Sequence, residues 1–323
     1  GQRRHQICYA VKANGNLAIL DVLARLGSAF DIVSSGELAR VRAAGGRLET
    51  VTFAGVGKTR AELENAIEAN ISCFNVESSE ELELLAEVAA ALGLKAPVAI
   101  RVNPDVDAET HPYIATGLNE NKFGIPMSEA MDVYRRAAAI PSLQVAGVAC
   151  HIGSQLTTIE PIVGAAQRVM ELVGSLDAEN IKISHIDIGG GLGITYRDES
   201  PPAIETYVKA ICNTIDPRYS IVIEPGRSIV GPAGVLLSRV QYMKQTPEKT
   251  FAICDAAMTE LIRPALYQAH HGVLPVTVGG SKRLVDIVGP VCESGDFLAR
   301  DRSLAITSGD LIALMDCGAY GFV

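Results

Sequence analysis

Four features of the chain carry side chains or backbone suited to chemistry on a phosphorylated carbonyl compound. Lys12, in YAVKAN, leaves an apolar run, where desolvation favours the free amine as a nucleophile for a Schiff base. The same placement suits a lysine that keeps its stem in apolar surroundings and its ammonium in water. The run GGGLG at 189–193 lets backbone amides come close to a phosphate, because glycine has no Cβ and tolerates positive φ. It also suits a tight turn between strand and helix. Glu224, in IVIEPGR and followed by Pro225 and Gly226, can keep a pyridine nitrogen protonated or pair with Arg227. His151, in CHIGSQ, can stack on an aromatic ring or be satisfied in the interior.

These groups matter only if something brings them together. Short Val- and Ile-rich runs alternate with amphipathic stretches of ten or more residues, the pattern of βα units on a parallel sheet. Strands are expected near 7–12, 29–33, 50–54, 71–76, 97–102, 145–151, 183–188 and 220–224, with helices near 17–26, 36–44, 60–69, 78–92, 128–139, 159–176 and 202–215. Eight parallel strands close as a (β/α)8 barrel, whose chemistry collects at the carboxyl ends of the strands. Lys12, His151, the glycines and Glu224 all fall at such ends. From about residue 232 short strands separated by turns take over. The expected α/β architecture is therefore a (β/α)8 barrel over 1–231 and a smaller, truncated β domain over 232–323.

Composition narrows the function classes. A net charge of -9 gives no electrostatic footprint for nucleic acid. Seven cysteines without CxxC or zinc-type spacing suit a reducing cytoplasm rather than a disulfide scaffold. No run reaches the ~18 apolar residues of a membrane span. GGGLG misses the GxGxxG dinucleotide pattern, because Ile194 stands at the third glycine's place. The chain opens without Met, almost directly on a strand, and stops at Tyr320-Gly321-Phe322-Val323, so a piece trimmed at both ends is expected.

With those residues in place, the chain resembles the diaminopimelate decarboxylases, pyridoxal-phosphate enzymes on an alanine-racemase-like barrel. The resemblance rests on YAVKAN (9–14), THPYIATGLNENKFGI (110–125), HIGSQ (151–155), GGGLG (189–193), EPGRSIV (224–230), IRPALY (262–267), GPVCESGD (289–296) and GAYG (318–321). It implies that Lys12 holds pyridoxal 5'-phosphate as a Schiff base, that His151 stacks on the ring, and that Glu224 pairs with the pyridine nitrogen. The phosphate is implied to rest on Gly190, Gly191 and the backbone of Pro225-Gly226-Arg227, with Ser154 and Tyr320 helping. Substrate contacts are implied for Arg227, Arg263, Tyr267, Glu293 and Tyr320, and Cys292 is implied as the proton donor. Cys292 and Glu293 would reach the active site of a neighbouring subunit, which makes a head-to-tail homodimer.

The reaction then expected is decarboxylation of meso-2,6-diaminopimelate to L-lysine. Arg227 and Arg263 offer permanently charged, bidentate donors for a distal carboxylate, whereas ornithine or arginine would call for an acidic partner alone. A decarboxylase of another basic amino acid or of a carboxylated polyamine precursor is the nearest alternative. A pyridoxal-phosphate-binding homologue without turnover is the alternative of another class.

Overall fold

The computed structural model describes residues 3–106 and 122–321. The chain forms two compact units, Gly1–Gly193 with Pro201–Pro225, and Ile194–Ser200 with Gly226–Val323.

The first unit is a closed parallel barrel. Its strands are β1 (His5–Ala10), β2 (Ala29–Ile32), β3 (Val51–Phe53), β4 (Cys73–Val76), β5 (Ala96–Asn103), β7 (Leu143–Ala149), β8 (His185–Asp187) and β9 (Ser220–Ile223). A two-residue β6 (Ile125–Pro126) adds to the edge of β5. Each barrel strand pairs with the next, β4 pairs with β5, and β1 closes the ring on β9 through His5↔Ile221 and Ile7↔Ile223. Strands buried on both faces read as continuous apolar runs, and Tyr9, Phe30, Phe53 and Phe74 are wholly buried here.

Helices α1 (Leu17–Arg25), α2 (Ser35–Ala43), α3 (Arg60–Glu68), α4 (Ser79–Ala91), α5 (Met127–Ala139), α6 (Glu160–Ala178) and α7 (Ile204–Thr214) return the chain between strands. Side chains fix four of the starts: Asn16, Ser34, Thr59 and Ser78 each accept a backbone N–H of the first turn, and Thr59 with Glu62 forms a full capping box.

The expected eight-strand ring is thus present. One strand end differs from expectation in a way that matters. β1 stops at Ala10, and Lys12 rides on the short 3-10 turn Val11–Ala13. The last ladder-like bond at this mouth is Ala10 N–H to the Pro225 carbonyl, 3.1 Å.

The second unit carries the short helices α8 (Arg227–Val230) and α9 (Arg263–Tyr267) and a six-stranded sheet. Its strands are β10 (Leu236–Gln245), β11 (Thr250–Cys254), β12 (Val273–Pro275), β13 (Arg283–Val288), β14 (Phe297–Leu304) and β15 (Leu311–Leu314), in the order β12-β15-β10-β11-β13-β14. Val240, Val285, Ile287, Leu298, Ile312 and Leu314 form its core. Among the described residues, no helix is long and apolar enough to cross a membrane.

Candidate active site

Lys12, His151, Gly189–Gly191 and Glu224 converge at the carboxyl end of the barrel. Lys12 Nζ donates to Asp31 Oδ2 at 2.6 Å. Asp31 is fully buried on β2, and its other oxygen, Oδ1, has no hydrogen-bond partner among the described residues. Burial pushes the Asp31 carboxyl up, and the Lys12 charge opposes that push. His151 sits two residues past β7, where its Nδ1 accepts the Gly190 N–H at 3.2 Å. The neutral ring therefore carries its proton on Nε2. Burial, reinforced by the nearby positive charges of Arg101 and Lys12, holds its pKa well below the usual histidine value, so the imidazole stays neutral.

Glu224 lies one residue past β9, with its backbone N–H on the Gly189 carbonyl at 2.8 Å. Burial, then the negative charges of Asp187 and Asp31, push its carboxyl well above the ordinary range. The glycine turn beside it requires glycine on two counts. Gly189 and Gly191 have φ of +69° and +109°, a region costly for other residues. A Cβ on Gly190 would collide with the Glu224 carbonyl, and one on Gly191 would stand 2.6 Å from the Gly153 carbonyl. The segment bearing Ser154 lies along this turn, with Leu156 N–H on the Gly191 carbonyl at 2.8 Å and Gly193 N–H on the Leu156 carbonyl at 3.0 Å. An amine, a neutral imidazole, a glycine-only turn and a buried carboxylate form a donor set that fits pyridoxal phosphate.

The second unit gathers another set. Arg227 and Arg263 are both buried. Arg227 Nη1 donates to the Tyr196 hydroxyl at 2.7 Å, and its guanidinium stands 4.7 Å from the Tyr320 ring centre. Arg263 stands 4.1 Å from the Tyr196 ring centre and donates to His271 Nε2 at 2.7 Å. His271 in turn donates from Nδ1 to the Met315 carbonyl at 2.8 Å. Tyr267, half-buried, ends α9. Cys292 and Glu293 are exposed on a turn pinned by Asp296, which accepts the N–H of Met258 and of Val291. Most of the motif at 110–125 lies outside the described residues.

Sequence reasoning missed a whole tier of the barrel site. Asp31, Asn75, Glu77, Arg101 and Asp187 are all buried polar groups on or beside strands. Asn75 Nδ2 donates to Asp187 Oδ2 at 3.0 Å and to Glu224 Oε1 at 3.4 Å, and Arg101 pairs with Glu77 at 2.8 Å. The signal was present, since a single polar residue inside an apolar strand run, as in AFDI, CFNV or HIDIGG, must find a partner or a function.

The pyridoxal binding domain of the pyridoxal-dependent decarboxylases matches residues 2–231. Diaminopimelate decarboxylase of Pseudomonas aeruginosa is 59% identical over 321 residues, 99% of this chain and 77% of that protein. The enzyme of the same name from Vibrio cholerae is 54% identical across 100% of this chain and 78% of its own length. The crystal structure of diaminopimelate decarboxylase from Helicobacter pylori complexed with L-lysine superposes with a TM-score of 0.96 at 44% identity, covering 99% of this chain and 81% of that one. With the amine, imidazole, glycine turn and buried carboxyl already in place, these likenesses establish that the chain belongs to the diaminopimelate decarboxylase family of pyridoxal-dependent decarboxylases.

Proposed function

We propose that this protein removes the α-carboxylate of meso-2,6-diaminopimelate as carbon dioxide and releases L-lysine. The observation that carries the reading is the convergence of Lys12, His151, Gly189–Gly191 and Glu224 at one barrel mouth in a chain 59% identical to a diaminopimelate decarboxylase. Pyridoxal phosphate, when bound, supplies the electron sink that takes the bonding pair left by the departing carbon dioxide.

The chain's own residues do the rest. Lys12 provides the amine for the covalent link, and Asp31 holds that amine at 2.6 Å. His151, kept neutral, offers a flat face for ring stacking without adding charge. Glu224 is the partner of the pyridine nitrogen. Gly190, Gly191, Ser154, Tyr320 and the backbone of Pro225-Gly226-Arg227 hold the phosphate. Arg227, Arg263 and Tyr267 bind the far end of the substrate. What favours a distal carboxylate is that no carboxylate lies within ion-pair distance of the buried Arg263 among the described residues, so its charge is available to an anion. Cys292 protonates the α carbon, and Cys292 with Glu293 acts across a homodimer interface. Their exposure on the pinned turn supports that role.

The test is carbon dioxide and lysine release from meso-diaminopimelate beside ornithine, arginine, lysine and carboxylated polyamine precursors. Equal or better turnover of another substrate would remove the first choice. Cofactor binding without any product would indicate a homologue that only carries the cofactor. Borohydride reduction followed by peptide mapping should place the modification on Lys12.

A further inference from the structure

Behind Glu224 lies a polar group that the reaction above does not use. Asp187 ends β8, is buried, and shares one amide with the Glu224 carboxyl, Asn75 Nδ2 donating to Asp187 Oδ2 at 3.0 Å and to Glu224 Oε1 at 3.4 Å. Two buried carboxyl groups gathered on one amide do not both ionise without a compensating cation. Among the described residues neither has a cation within ion-pair distance, and Lys12, whose charge is felt at Glu224, is paired with Asp31. The pair therefore keeps a proton.

Hydrogen bonding decides which member holds it. Asp187 receives two donors, the Gly189 N–H on Oδ1 at 2.8 Å and Asn75 Nδ2 on Oδ2 at 3.0 Å. Glu224 receives only the far, 3.4 Å arm of the same Asn75 amide. Donors favour the charged form of a carboxylate, so Asp187 carries the negative charge and Glu224 the proton. Asn75 itself is locked from behind. Its backbone carbonyl accepts Lys58 Nζ at 2.8 Å, and its Oδ1 is buried with no partner among the described residues, as expected if the amide is turned so that its NH2 meets the carboxylates.

Resting on the reading given under Proposed function, we propose that Glu224 meets the cofactor as a carboxylic acid, its proton held in place by Asn75 and Asp187 as positioning residues. On binding, the Glu224 O–H bond breaks and a ring N–H bond forms. The pyridine nitrogen becomes a pyridinium and Glu224 a carboxylate, with no proton drawn from solvent at that step. The charged groups facing Glu224 are Lys12, Asp31 and Asp187. Around Asp187 stand the thiols of Cys8, Cys73 and Cys150 and the imidazole of His185, which burial keeps neutral.

Infrared difference spectroscopy of the cofactor-free protein reads this directly. The wild type should show a buried carboxylic-acid band that survives well above the ordinary carboxylate range of about 4 and is absent in Glu224→Gln. Asp187→Asn removes the like charge and should lower the midpoint of that band by at least about one pH unit, a tenfold change in proton affinity. Asn75→Ala removes a donor from the ionised member and should raise it. Opposite signs from the two variants mark positioning; shifts in the same direction would overturn the assignment, as would a wild type without an acid band at about pH 7. Adding pyridoxal phosphate should bleach the band, and a band that persists with cofactor bound would end the proton-delivery step. A protein that shows the band but never binds pyridoxal phosphate would sink the decarboxylase reading while leaving the stored proton standing.

Discussion

Two lysine–carboxylate pairs stand on the barrel with the same 2.6 Å separation, yet they are built for different ends. Lys58 is 1% exposed, and its ammonium is spent on Glu81, the Gly55 carbonyl and the Asn75 carbonyl. The Lys12 side chain is 38% exposed, and the carboxylate beneath it keeps one buried oxygen without a hydrogen-bond partner among the described residues. A buried charge that has used all three donors can only be structural, since any displacement leaves an uncompensated ion. A charge at the surface of the same barrel, over a carboxylate with unused capacity, can exchange its partner. Burial, rather than bond length, separates the reactive lysine from the supporting one.

The largest expected effect tests the reactive side of that contrast. Lys12→Ala should lower decarboxylation on the order of 10³-fold or more. A variant that kept its turnover would erase the distinction. Lys58→Met should instead cost about 3 to 5 kcal/mol of stability in denaturant titrations because Glu81 is left buried and unpaired. Turnover per folded molecule should fall far less than in Lys12→Ala, and a comparable drop would move Lys58 into the chemistry.

Asp31→Asn is subtler. Loss of the anion should shift the pH dependence of Lys12 reacting with pyridoxal phosphate downward by about one unit or more, followed by absorbance; an unmoved profile would show that the 2.6 Å contact is idle.

The smallest effect concerns His271 beside Arg263. Burial, and next the charge of Arg263, lower its pKa to about 4, against a hydrogen bond to the Met315 carbonyl that acts the other way. The folded value lies below the unfolded one of about 6.5, so the unfolded chain binds the extra proton between these limits. This contribution to stability is present above about pH 6.5 and is lost as pH falls toward 4. His271→Gln should flatten the dependence of stability on pH in that window by about one proton; an unchanged slope would place the sensitivity elsewhere.

The barrel was legible because its strands are largely buried and declare themselves as apolar runs, so ICYAV, AFDIV and IVIE could be counted. β14 was not, because Arg300, Asp301 and Arg302 interrupt its apolar pattern and Asp301 adopts φ +54° near a break in register. β6 is too short to register. Lys12, His151, the glycines and Glu224 were readable because reactive residues at strand ends have few other reasons to cluster there. Asp31, Asn75 and Asp187 were not, since each looks like an isolated blemish in a strand until the ring closes. Their partnerships span up to 149 positions, as between Asn75 and Glu224, and no local spacing encodes such a distance.

The seam between β1 and β9 has a consequence for how the protein comes into being. It joins the first strand of the barrel to the last, with Ala10 hydrogen-bonded to Pro225 at the very rim that bears Lys12 and Glu224. Contacts so remote along the chain carry a large loop-closure cost and form late. A ribosome must therefore release nearly the whole barrel before the amine and the carboxyl can meet, and a nascent chain halted before β9 would hold a lysine with nothing to work against.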